Sequence, residues 1–260
     1  QVKEERGATD EAVRLYLHAL ELATSLDTPW RRADVLRQLA WLTAETGQLD
    51  PAAALNGEAL AIARAEGRPL ALTTIYNTEG FILGRRGDRA GELRATRLAL
   101  EQARAARSRK DEALMLANMA DLHLKGGEYL LAVQVSNQAL AIAHALGDRG
   151  IEAVALGNRG LAQVSLKRWA DGKRDLAAAM AIAGAFVFRR EFDQRIGDIR
   201  RVILRVESGD MSPRVAVSVR QDEFARLSAD INRMLERVEQ LMSGVRHVSN
   251  TIAHNLRTPL

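Results

Sequence analysis

The chain of 260 residues contains no cysteine, which excludes disulfides and cysteine-ligated metal sites and fits a reducing compartment. Its five histidines are scattered, with no pair at i, i+4, so no metal site is expected. Aromatic residues make up only 4% and prolines number five. Alanine, leucine and arginine fill the chain instead, and these favour an all-α fold. Long apolar runs are missing too. The longest stretch, Leu176 to Phe188, falls short of the about 20 residues that a membrane span needs. Nor does one sign of charge dominate: 37 Lys and Arg face 33 Asp and Glu, for a net charge of +4. The arginines are interleaved with acids, as on a solvated helical surface, so no nucleic-acid partner is expected. The first residue is Gln1 and no signal peptide follows it; both ends read as cut from something longer. The expected location is cytoplasmic, at the inner face of the membrane if the full protein carries a span.

What the chain does contain is a repeat. Gly7, Gly47, Gly87 and Gly127 recur every forty residues, as do Ala19, Ala59, Ala99, Ala139 and Ala179, and Ala40, Gly80, Ala120 and Gly160. Each unit reads as two helices. One set covers about 31–46, 70–86, 110–126 and 150–166; the other covers about 8–26, 49–66, 88–106, 128–146 and 168–184. Glycines such as Gly47 and Gly147 are placed to end helices in a left-handed cap. Helix pairs of this length bury their apolar faces only by stacking on neighbours. The small residues mark close helix crossings, where a larger side chain would cost roughly 1–3 kcal/mol. Glu92 and Gly172 interrupt an alanine column formed by Ala12, Ala52 and Ala132, so less regular packing is expected there.

This pattern resembles the tetratricopeptide repeat from residue 7 to about 184, with a unit of 40 residues where the family has about 34. The resemblance implies a right-handed α-solenoid of about nine helices over residues 1–185. It also implies a concave face, lined by the first helix of each pair, that holds a peptide or protein segment. The candidate lining residues are Arg37, Gln38, Trp41, Asn77, Phe81, Asn118, Asp121, Asn158 and Leu161. Gln38, Asn118 and Asn158 stand forty or eighty residues apart. Their amides either grip a bound backbone or cross-link adjacent helices.

After Ala185 the period changes. Phe192, Ile196, Ile199, Ile203 and Val206 follow a 4-3-4-3 spacing, the mark of a coiled-coil seam. Gly209-Asp210 ends it, and a connector with Met211, Pro213, Val215 and Val217 follows. A second seam opens at Asp222-Glu223-Phe224 and runs through Leu227, Ile231, Met234, Val238, Leu241, Val245, Val248 and Ile252. Helix, connector and helix in this order resemble a HAMP domain, assigned to residues 186–242, with Ala225 where the family often has glycine. That family forms a parallel four-helix bundle from two chains and converts a signal into helix rotation or tilt. A parallel homodimer is therefore expected.

The final segment, 243–260, ends in His254-Asn255-Leu256-Arg257-Thr258-Pro259-Leu260. This run resembles the H-box of sensor histidine kinases. There a histidine on a dimeric helical hairpin takes a phosphoryl group from ATP and passes it to an aspartate on a response-regulator receiver domain. With Phe224 and Leu227 as positions a and d of the heptad, Ile252 falls at a and His254 at c, beside the seam and facing outward. The resemblance makes His254 the phosphoacceptor. His247 lies one heptad earlier without the motif. Asn255 stands where the family usually has an acidic residue that accepts a proton, a role an amide cannot fill. Thr258 matches the position that orients water in dephosphorylation, and Pro259 the proline that bends the helix. No phosphate-cradling glycine loop occurs in the chain. No cofactor is therefore expected here; ATP and Mg belong to a separate catalytic domain, and the chain alone should not be a kinase.

Two further readings remain open. The array is a protein–protein interaction scaffold, and the C-terminal segment serves only to dimerise it. Or two unrelated pieces were joined, since Gly184-Ala185-Phe186-Val187-Phe188-Arg189-Arg190 looks like the tail of a membrane span but follows repeat helix directly.

Overall fold

A computed structural model describes the backbone of residues 2–217 and 223–257 and the side chains of residues 11–217 and 223–245. Among the described residues the chain is all helix and connection. In order these are α1 (Val2–Ser25), α2 (Pro29–Glu45), α3 (Leu49–Ala65), α4 (Pro69–Arg85), α5 (Arg89–Ala105), α6 (Arg109–Lys125), α7 (Tyr129–Leu146), α8 (Arg149–Ser165), α9 (Trp169–Glu207) and α10 (Glu223–Arg257). The chain divides into two compact units, Gln1–Ala183 and Gly184–Leu260.

The geometric period of the first unit is twenty residues, half the repeat in the text. Left-handed φ values fall at Asp27, Gly47, Gly67, Gly87, Arg107, Gly127, Gly147 and Lys167, each twenty residues after the last. At Gly47 the helix closes with Gly47 N–H donating to the Ala44 carbonyl at 3.0 Å and Gln48 N–H to the Thr43 carbonyl at 3.1 Å. This paired closure satisfies two carbonyls that the helix end would leave without donors. The same long-range bond recurs after each of the other seven positions, as in Asp148 N–H to the Ala143 carbonyl at 3.0 Å. Gly7 is an exception to the expected series: it lies inside α1 and ends nothing.

Side-chain caps start several of the helices that follow. Asp88 accepts from Gly91 N–H at 2.8 Å, Asp148 from Ile151 N–H at 3.1 Å, and Ser108 from Asp111 N–H at 3.4 Å. Pro29 and Pro69 start two others, where a missing N–H costs nothing.

Neighbouring helices pack in chain order, and α2 meets α4 and α6 meets α8 across the helix between them. Ala40, Ala59, Ala99, Ala120 and Ala139 are fully buried at the crossings, around a core that includes Leu36, Ile75 and Met115. Gly80 faces α5, where an added Cβ would lie 3.3 Å from Thr96 Oγ1. Gly160 and Gly172 bring α8 and α9 still closer, since a Cβ on Gly172 would lie 2.8 Å from the Gly160 carbonyl oxygen. The interruption at Gly172 thus tightens the packing, contrary to expectation, because Val164 takes the space the alanine would have filled. Glu92 is accommodated in the same way: its carboxylate lies over Gly84, within 2.6 Å of where a Cβ would stand. Arg159 adds a bidentate ion pair to Asp175 at 2.6 and 2.9 Å and a bond to Asn137 at 2.8 Å, tying α7, α8 and α9 together.

The helix expected to end near residue 184 does not end there; α9 continues to Glu207. Twenty residues after Lys167 the chain has Val187. A β-branched residue is a poor choice for positive φ, and no proline intervenes, so the helix propagates.

In the second unit Ile199, Val202, Val215 and Leu235 form a buried cluster with Val206 and Ile231 against it. Two members, Val202 and Leu235, were absent from the seam read in the sequence. Leu227 and Met234, which were in it, are exposed.

Candidate functional site

On the array, the helices α2, α4 and α6 bring five of the expected lining residues to one cavity of about 240 Å³: Trp41, Asn77, Phe81, Asn118 and Asp121. The Trp41 and Phe81 rings stack at 4.1 Å with an interplanar angle of 15°. Trp41 Nε1 donates to Glu45 at 3.0 Å, and this fixes the indole on its own helix. Asn118 Nδ2 donates to Asn77 Oδ1 at 3.0 Å across the α4–α6 gap.

The other candidates lie elsewhere. Arg37 is bound to Asp34 at 3.0 Å and, with Gln38, is half-buried outside the cavity. Asn158 is buried and donates to the Ala117 carbonyl at 3.0 Å, bracing α8 against α6. Leu161 is exposed. The amides of Asn118 and Asn158 therefore both make bonds between neighbouring helices.

Five further lining residues were missed in the sequence: Gly80, Glu92, Thr96, Leu122 and Lys125. Glu92 had a visible signal, as the one acid in a column of small residues. Burial raises its carboxyl above the usual range; Lys125 opposes this, Asp121 adds to it, and Arg89 opposes it. Lys125 Nζ pairs with Asp121 at 2.6 Å. Arg89 donates to the Leu122 carbonyl at 3.0 Å, its guanidinium filling the space beside Gly126.

The second unit is built around its connector. Gly209 has φ +93°, and Asp210 N–H closes the helix on the Arg205 carbonyl at 3.0 Å. The Asp210 carboxylate accepts from Ser212 Oγ at 2.6 Å, Ser212 N–H at 3.0 Å and Arg205 at 2.5 Å, which hold its pKa down to about 2. Downstream, the Asn232 side chain clasps the connector: Oδ1 accepts from Val215 N–H and Nδ2 donates to the Val215 carbonyl, both at 2.9 Å. Two bonds to one residue fix its orientation and direct the Val215 side chain into the cluster with Leu235. Arg214 adds an ion pair to Glu239 at 2.6 Å.

Residues 194–240 match the HAMP domain family. The matched segment holds the Asp210 turn, the Asn232 clasp and the buried Val215, so this geometry belongs to the HAMP segment. No curated protein matches the chain. Among solved structures, a signal transduction ATPase with numerous domains and a tetratricopeptide repeat sensor, from Pyrococcus horikoshii, is 19% identical with a TM-score of 0.61. That alignment covers 74% of this chain and 29% of that one, so the chain spans under a third of that protein's length. BtubC from P. vanneervenii is 19% identical with a TM-score of 0.60, over 90% of this chain and 92% of that one. A Podosopora anserina protein with nearly identical TPR-like repeats is 16% identical, with a TM-score of 0.53 over 70% and 90% of the two chains. At these identities the likeness establishes the fold, a tetratricopeptide-like solenoid. No helix among the described residues is long and apolar enough to cross a membrane.

Of the H-box residues, His254 and Asn255 lie on the backbone of α10 with side chains outside the described residues, and Thr258 and Pro259 lie outside them altogether.

Proposed function

We propose that the chain is the input and signal-transmission part of a two-component sensor histidine kinase. The array binds a peptide or protein, the HAMP segment relays the state of its helices, and His254 is the phosphoacceptor. The observation that carries this reading is the matched HAMP segment at 194–240 leading, on one helix from Glu223 to Arg257, into the His254–Leu260 run. The partners are a second copy in parallel, an ATP-binding domain that supplies ATP and Mg, and a response-regulator receiver domain. In the reaction a neutral imidazole nitrogen attacks the γ-phosphorus, and the bond to the ADP oxygen breaks with its electron pair leaving on ADP. The nucleophile is the neutral form of the ring, in which one nitrogen keeps a lone pair free to attack. The proton lost from the ring needs an acceptor, and Asn255 cannot be one. The exposed apolar residues Leu227, Met234, Leu241 and Val245 support the parallel dimer.

The test joins the chain to a competent ATP-binding domain and follows phosphate incorporation. A single acid-labile, base-stable site is expected, lost in His254→Ala and kept in His247→Ala. Asn255→Glu should raise the rate by ~10²-fold, the low end for general-base catalysis. Labelling that persists in His254→Ala would overturn the reading and leave the interaction scaffold in its place.

A further inference from the structure

Resting on the reading of the array as a peptide-binding face, we infer that the cavity between α2, α4 and α6 is a subsite for a lysine or arginine side chain of an extended peptide.

The argument begins with volume. At about 240 Å³ the cavity is smaller than the roughly 300–1,000 Å³ of small-molecule sites and suits one long side chain of a larger partner. Its aromatic wall is the Trp41–Phe81 stack, which offers an apolar surface to an aliphatic stem.

Charge selects among long side chains. Lys125 is already paired with Asp121, and the Arg89 guanidinium is engaged by the Leu122 carbonyl. The Glu92 carboxylate is half-buried and, among the described residues, has no hydrogen bond or ion pair. It is packed over Gly84, where any side chain would displace it. Glu92 is therefore the carboxylate of the cavity left without a direct partner, in a partly desolvated place, with Lys125 and Arg89 acting on it only from a distance. A desolvated carboxylate gains most from a cationic donor, and an acidic ligand group would meet it as a like charge.

The main chain of the ligand has a matching partner. The Asn118–Asn77 bond uses one donor and one acceptor. Asn77 Nδ2 and Asn118 Oδ1 are left over, both on residues that line the cavity, with no partner among the described residues. One amide donor and one amide acceptor complement the C=O and N–H of a single residue in an extended peptide. The amide pair for the backbone, the rings for the stem and Glu92 for the cation all line this one cavity.

The experiment uses the full 260-residue chain and a series of blocked nine-residue alanine-based peptides whose central residue is Arg, Lys, norleucine or Glu. Binding is read by tryptophan fluorescence. The Arg and Lys peptides should bind about tenfold more tightly than the norleucine peptide, the scale of one charge-assisted hydrogen bond, and the Glu peptide should bind most weakly. Glu92→Gln should bring Arg and Lys down to norleucine and leave norleucine unchanged, with a thermal melt confirming the fold. Equal binding of norleucine and Arg, tighter binding of Glu, or discrimination surviving Glu92→Gln would overturn the cation subsite while leaving the peptide-binding face intact. No binding by any peptide of the series would overturn both.

Discussion

In the array a continuous core is buried by neighbouring helices of the same chain, although single side chains such as Leu70 and Leu130 stay exposed; in the C-terminal unit the buried cluster is small and a whole apolar stripe is left over. Leu36, Ile75 and Met115 are almost wholly inaccessible, and the alanine columns beside them are closed off. From Gly184 onward, among the described residues, the buried hydrophobics are Ile199, Val202, Val215 and Leu235, while Ile196, Ile203, Leu227, Met234, Leu241 and Val245 remain exposed. One stripe of α10 faces the connector and α9, and a second, offset by one residue, faces outward. The two regions therefore depend on different variables. Stability in the array comes from the fit of local neighbours, as in other repeat folds. In the proposed dimer the second stripe of the C-terminal unit would be covered by association, which depends on concentration.

The largest effect should come from that second stripe. Replacing Met234 and Leu241 together by Glu puts two charges into the seam. Self-association of the full chain should weaken by roughly 10²-fold or more, that is ~2.7 kcal/mol or more, because each charge would have to be desolvated to remain there. Sedimentation velocity across a concentration series measures this. The thermal transition of the array should stay where it is. A wild-type chain that is monomeric at tens of micromolar, roughly the range where short coiled coils associate, would remove the contrast between the two regions.

The two regions also differ in how much could be read in advance. In the array the helices and half of the cavity lining were legible in the forty-residue text. Trp41, Asn77, Phe81, Asn118 and Asp121 were named from first-helix positions alone and meet in space. What escaped were pairwise effects. Gly84 makes room for Glu92 and Val164 fills in for Gly172, so a column read one position at a time shows defects where the pairs are matched. The twenty-residue turn period was hidden because Asp27, Arg107 and Lys167 adopt the same left-handed φ that glycine adopts elsewhere. In the C-terminal unit a single heptad seam was drawn where the helices carry two apolar stripes. Val202 and Leu235 belong to the inner stripe, and a one-stripe template leaves them out.

Within the array, the next effect in size tests fit. Gly172→Ala places a Cβ 2.8 Å from the Gly160 carbonyl oxygen and 3.1 Å from Val164 N. Both obstacles are backbone, so the helices must separate, at about 1–3 kcal/mol. Gly84→Ala meets only the end of the Glu92 side chain, which can rotate away, and should cost less. Urea unfolding of both variants measures the difference; equal costs would mean that α8 and α9 yield as easily as a carboxylate.

A smaller effect comes from the caps. Asp148→Ala removes the acceptor for Ile151 N–H and should cost about 1 kcal/mol at neutral pH. The Asp148 carboxyl is held below its ordinary range, first by that backbone bond. A depressed folded-state pKa means that the stabilisation is whole above the ordinary carboxylate range and is lost as pH falls through the folded value. The gap between wild type and Asp148→Ala should therefore narrow in acid. A gap independent of pH would assign the cost to something other than the ionised cap.

The smallest effect should raise stability. Arg107 is exposed and holds φ +54° at a turn where five of the eight equivalent positions are glycine. A left-handed conformation costs a residue with a Cβ about 1–2 kcal/mol. Arg107→Gly relieves this strain but gives the unfolded chain more freedom, which takes back about 0.5–1 kcal/mol. A net gain of about 0.5 kcal/mol should remain, seen as a small rise in the urea midpoint with an unchanged slope. No polar contact is lost, since the Arg107 side chain makes no hydrogen bond, ion pair or ring contact among the described residues. A fall in the midpoint would show that arginine is under no strain at this turn. It would then follow that the twenty-residue period is imposed by the Schellman closures alone, with the residue at each left-handed position free to vary.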